Sequence, residues 1–165
     1  MYKMYDKVAA VRQVQKYLEN AESTKGYLSP SGDYDEVTRE AVRSFQKNKG
    51  LPPTGITDIL TFDAVYNDYL LRQETKKTDA IFGQKMKFPL IIGDFGEGVG
   101  RFNKMLSELL DYYGIIHALR QSDYYSEATE QAYLSARKLF GLECGDVDRR
   151  FVSRLIDEIN LLRKK

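Results

Sequence analysis

"TREAVRSFQKNKGL", residues 38–51, decides the fold of this chain. Val37 or Thr38, then Ala41, Val42 and Phe45, recur at the three- and four-residue spacing of an amphipathic helix. Asp35 stands where a helix N-cap belongs, and Gly50 where a left-handed C-cap belongs. Pro52 and Pro53 prevent the helix from resuming. The spacing therefore predicts a helix over 36–49. Upstream, Val8, Val11, Val14 or Gln15, and Leu18 predict a first helix over 5–20, followed by a Ser-, Gly- and Pro-rich loop. Downstream, Asp58 caps a third helix whose stripe is Ile59, Phe62, Val65, Tyr66 and Tyr69.

The plan recurs. From residue 93, "GDFGEGVGRFNKMLSELLDYYG" predicts a helix over about 97–113. "SEATEQAYLSARKLFGL" reads as a second helix ending at Gly141, and "RRFVSRLIDEINLLRKK" as a third capped by Asp148. Val11 and Leu18 pair with Val99 and Leu106. Tyr34, Thr38, Ala41, Gly50 and Leu51 pair with Tyr125, Thr129, Ala132, Gly141 and Leu142. Gly55 and Asp58 pair with Gly145 and Asp148, so the offset stays between 88 and 91 throughout. Phe45 corresponds to Ala136, while Lys49 corresponds to Phe140, which predicts that aromatic volume has moved one turn along the helix. The expected fold class is all-α: two tandem three-helix modules, residues 1–71 and 93–165, joined by a linker over 72–92.

Tyr34–Val65, "YDEVTREAVRSFQKNKGLPPTGITDILTFDAV", resembles the peptidoglycan-binding-domain-like family, a small three-helix cell-wall module. The resemblance rests on Tyr34, Asp35, Thr38, Ala41, Val42, Phe45, Gln46, Gly50, Leu51, Gly55 and Asp58, with Val11, Gln15 and Leu18 upstream. Residues 93–165 resemble the same family more distantly, with Ala136 and Arg137 in place of the Phe-Gln pair. The resemblance implies a protein that holds peptidoglycan, by its glycan or its stem peptide, in the cell wall or envelope. Reuse of the fold to bind a protein, in a phage particle, a secretion machine or an envelope assembly, is the alternative expectation.

Composition narrows the classes. The 165 residues carry a net charge of +1. Residues 1–71 hold nine Lys/Arg against ten Asp/Glu, and residues 96–165 hold eleven of each. Neither lobe carries the basic footprint of a nucleic-acid binder. No stretch approaches the roughly 20 apolar residues of a membrane helix, and the N-terminal ten residues do not read as a secretion signal.

Enzymatic readings find little support. His117 and Cys144 are the single His and Cys, too few for a protein-ligated zinc centre, and as a nucleophile–base pair they lack a third orienting group. Gly96, Gly98 and Gly100 lack the β-α-β surroundings of a dinucleotide turn. Acid pairs such as those in "DYDE" arise by chance among 24 carboxylates. No catalytic residue, metal or cofactor is expected.

Sugar and peptide recognition uses aromatic faces flanked by hydrogen-bonding groups. The chain has no Trp but twelve Tyr. The candidate ligand-binding residues are Tyr27, Asp33, Tyr34, Asp35 and Gln46 in the first module. Arg120, Tyr124 and Tyr125 are those of the second. Lys25 and Asp123 add charge to the same loops.

Overall fold

The structure, a computed structural model, describes residues 7–24, 27–84, 86–143 and 145–165. Lys25 and Cys144 lie outside the described residues. Six α-helices run in order: α1 Lys7–Leu18, α2 Glu36–Asn48, α3 Ile59–Phe82, α4 Glu97–Tyr112, α5 Glu127–Leu139 and α6 Arg149–Leu162, with a 3-10 turn at Glu22–Thr24. Among the described residues there is no strand, only the isolated antiparallel bridges Leu90–Val147 and Phe95–Tyr124. The chain divides into two compact units, Met1–Arg72 and Gln73–Lys165.

In the first unit, α2 buries Thr38, Ala41, Val42, Phe45 and Gln46, the face its periodicity marks. Leu18 from α1 and Val65 from α3 complete the core. The Asp35 carboxylate accepts the Thr38 N–H at 2.8 Å. At the other end Gly50, at φ 69°, lets the Leu51 N–H reach the Gln46 carbonyl at 2.8 Å and the Gly50 N–H reach Lys47 at 3.2 Å. This is the Schellman closure that a left-handed residue permits. Asp68 pairs with Lys49 at 2.5 Å and Arg72 at 2.8 Å, and Arg72 also donates to the Tyr17 carbonyl, tying α3 to α1.

The second unit has the larger core. Phe102, Leu106, Leu109 and Leu110 of α4 meet Tyr133 and Ala136 of α5 and Phe151, Val152, Leu155, Ile156 and Ile159 of α6. The volume missing at Ala136 is filled from two sides. Tyr133 packs edge-on against Phe151 at 4.7 Å, and half-buried Phe140 lies 5.6 Å from the same ring. The helix ends repeat the first unit's solutions. Ser126 caps α5 with Thr129 in a reciprocal capping box, and Asp148 caps α6 through the Phe151 N–H at 2.8 Å. The Leu142 N–H reaches the Arg137 carbonyl at 3.0 Å beside Gly141, at φ 64°.

The stretch expected as linker, 72–92, is largely structured. α3 continues to Phe82, whose ring is buried in the second core, and the Leu90 N–H donates to Val147 at 3.1 Å. The polar composition of 72–79 reads as linker because the apolar contacts that order the segment, Phe82 and Leu90, come only at its far end.

Candidate functional site

The first unit carries an apolar groove of about 600 Å³ between α1 and the start of α3. Ala10 and Val14 form one wall, Ile59 and Phe62 the other, and Tyr34 and Thr57 close the end. The geometry follows from α3. Its stripe predicts core residues, yet only Thr61 and Val65 are buried in the first two turns. Ile59 is 79% exposed and Leu60 69%, while Phe62 and Tyr66 are each 39% exposed. The short α1 has too few large side chains to cover them, because Ala9, Ala10 and Gln13 line its facing surface. Apolar side chains are left facing water beside a concave surface, the arrangement that marks binding sites.

The groove is firmly held. The Tyr34 hydroxyl donates to the Gly55 carbonyl at 3.0 Å and lies 2.9 Å from the Thr57 hydroxyl, so its ring is fixed in place. Phe62 stacks nearly parallel to Tyr66, 6.3 Å between ring centres, and Tyr17 packs against both and against Tyr69. This aromatic series runs along α3 from the groove's Phe62. Asp58 supplies charge at the rim. The Thr61 hydroxyl and N–H hold its carboxyl below the usual carboxylate range, so it is an anion at neutral pH.

The residues singled out in the sequence disperse. Tyr34 lines the groove. Tyr27 is exposed away from it, its hydroxyl on the Ser23 carbonyl at 3.1 Å. Asp33 is exposed, and its main-chain carbonyl accepts from the buried Gln15 amide at 2.9 Å. Asp35 works as the α2 cap, its carboxyl lowered by the Thr38 N–H and hydroxyl. Gln46 is interior rather than ligand-facing. Its amide donates to Thr54, Ile56 and Thr61 and its oxygen accepts the Gly55 N–H at 2.8 Å, so every polar atom serves the turn.

In the second unit, Arg120 is exposed and Tyr124 is 48% exposed. Tyr125 is fully buried and offers no face to a ligand. Its hydroxyl donates to Glu130 at 2.6 Å, and burial, then Glu130, push its phenol pKa far up. His117 is half-buried with Nε2 3.1 Å from Asp111. Among the described residues no group of three His, Cys, Asp or Glu is placed to hold a metal ion, and no helix is long and apolar enough to cross a membrane.

Ile59, Phe62 and Asp58, the groove's main contributors, appear in the sequence as stripe and cap. Their functional signal is quantitative: the third helix carries more apolar side chains than one short neighbour can bury.

The first unit is thus a three-helix module bearing an apolar groove. Residues 7–65, which span its three-helix assembly, match the family model described as "Putative peptidoglycan binding domain". No curated protein and no solved structure matches the chain.

Proposed function

We propose that the protein binds peptidoglycan without cleaving it, and that the α1–α3 groove of the first unit receives the polymer. The match of residues 7–65 to the peptidoglycan-binding family carries this reading, since those residues build the groove. The chemistry is compatible. Ile59, Phe62 and Tyr34 provide apolar faces for the C–H faces of sugar rings, and Thr57, Asp58 and Gln13 add polar groups to the same lining. Asp58, the one carboxylate lining the groove among the described residues, caps α3, which favours holding over hydrolysis. The same reading places the protein at the cell wall or envelope.

The second unit is read as a divergent copy of the first. Beyond helix order and caps, one tie supports this. Gln15 of α1 donates to Ser31 and to the Asp33 carbonyl. Asn103 of α4 donates to the carbonyls of Ser122 and Tyr124, which lie 91 residues on from Ser31 and Asp33. A buried amide thus fastens the first helix to the following loop in both units.

The test is co-sedimentation with purified sacculi. The protein sediments, and Phe62→Ala weakens binding by about tenfold or more, the size of a well-packed aromatic contact. Failure to sediment at low and moderate salt overturns the reading. The exposed Ile59 and Leu60 would then favour a protein partner, to be sought by co-purification.

A further inference from the structure

Arg137 of α5 is a buried cation that forms no ion pair among the described residues. Its side chain is 93% hidden, being 7% exposed. Nη1 donates to the Tyr133 hydroxyl at 2.6 Å, and the guanidinium carbon lies 5.5 Å from that ring. Nε is buried with no partner, and no carboxylate pairs with the group among the described residues. Tyr133 does not supply the missing charge. Burial, against the influence of Arg137, holds its phenol above the ordinary value, and its hydroxyl proton is given to the Gly145 carbonyl at 2.8 Å. A buried cation that meets only neutral groups is unfavourable unless an anion arrives.

The surroundings provide room for one. Arg137 forms part of the wall of a cavity of about 260 Å³, with Gly145, Asp146, Asp148, Arg150, Phe151 and Arg154. Gly145 lies directly against the guanidinium: a Cβ there would stand 2.7 Å from Nη1, so only glycine fits beside it. Arg154 stacks over Phe140, 4.8 Å from its ring, and makes no ion pair among the described residues. Arg150 reaches Glu74 only at 3.7 Å. With Glu74 counted against Arg150, the charges around the cavity balance, yet the Arg137 guanidinium itself is held only by neutral groups. The Asp148 carboxylate is already engaged by the Phe151 N–H.

The corresponding position of the first unit explains why this cavity is unusual. Gln46 stands four residues before Gly50, as Arg137 stands four before Gly141. Gln46 offers both donors and an acceptor, and consumes them on its own turn. Arginine has donors only, and cannot close that circuit. We propose that the Arg137 cavity of the second unit binds a carboxylate, the terminal carboxyl group of a short peptide. The guanidinium matches a planar monoanion. Asp146 and Asp148 disfavour a dianion such as phosphate, and the small volume excludes a polyanion. This assignment does not rest on wall binding by the first unit.

Titration of the isotope-labelled full chain with N-acetyl-alanyl-alanine, followed by NMR, tests it. The Arg137 Nε–H resonance and the backbone amides of residues 145–148 shift saturably with the free acid. They do not respond to the same dipeptide carrying a C-terminal amide, and they respond more weakly to inorganic phosphate. Arg137→Gln, which restores the first unit's residue, weakens the response at least tenfold while the spectrum stays dispersed. Arg154→Ala, on an exposed side chain, weakens it severalfold and guards against a folding defect in the first variant. Equal response to acid and amide, tighter binding of phosphate, no saturable shift, or full binding retained in both variants overturns the proposal.

Discussion

The two third helices distribute the same kind of side chain in opposite ways. α6 turns Phe151, Val152, Leu155, Ile156 and Ile159 into its core. The opening turns of α3 bury only Thr61 and Val65 and leave Ile59, Leu60, Phe62 and Tyr66 open to solvent. The second helices differ as well. Gln46 is a satisfied amide, Arg137 an unsatisfied cation. One helix order therefore supports two surfaces. The first unit has an apolar groove above a small core. The second has a large core and a charged cavity. What distinguishes them is where apolar area and hydrogen-bond acceptors were placed, not the backbone plan.

The comparison is tested most severely in the cores. Phe45→Ala and Phe151→Ala each lower stability by about 3–5 kcal/mol, as expected for deleting a fully packed ring. Amide hydrogen exchange separates them: Phe45→Ala lowers protection in residues 7–71 and Phe151→Ala in residues 86–162. Uniform loss of protection from either variant would show that the two cores do not act as separate units.

A smaller effect is expected at the second helix. Gln46→Ala strands the Gly55 N–H and the hydrogen-bonding groups around it, at about 1–3 kcal/mol. Gln46→Arg costs more than Gln46→Ala, since it adds a charge for which the turn has no acceptor to spare. Arg137→Gln costs less than either. Denaturant midpoints of the three variants give the order, and an inverted order would remove the contrast drawn between the two turns.

The caps come last. Asp35→Ala and Ser126→Ala each cost about 1 kcal/mol by thermal or chemical unfolding. Only the first cap of the pair titrates. Hydrogen bonds hold Asp35 and Asp58 below their ordinary value of 3.8 in the folded protein. Their contribution is complete above that value and is lost as pH falls below it through the folded-state pKa, because the unfolded chain then takes up protons more readily. Acid therefore loosens the first unit through these two groups, and Asp35→Ser flattens that part of the pH profile. An unchanged profile in Asp35→Ser would separate the cap from the acid response.

Much of this was legible in local sequence. Asp35, Gly50, Asp58, Gly141 and Asp148 predict helix ends because capping involves neighbours only three or four residues away. The continuation of α3 to Phe82 was not legible, since polar residues 72–79 carry no stripe and the helix is ordered by a ring docking at its far end. The groove residues were least legible. Tyr125 and Gln46 look like ligand contacts by type, but one is sealed in the core and the other spends its hydrogen bonds on its own turn. Ile59 and Phe62 look like core by periodicity, but Ile59 stays 79% exposed and Phe62, although Tyr17 packs against it, 39% exposed.

Helix order, caps and turn glycines were determined by the sequence alone, because each depends on contacts a few residues apart. Tertiary structure decided which apolar side chains remain exposed and which buried cation meets no carboxylate among the described residues. Those are properties of what stands opposite, brought there from distant parts of the chain, and no local pattern records them.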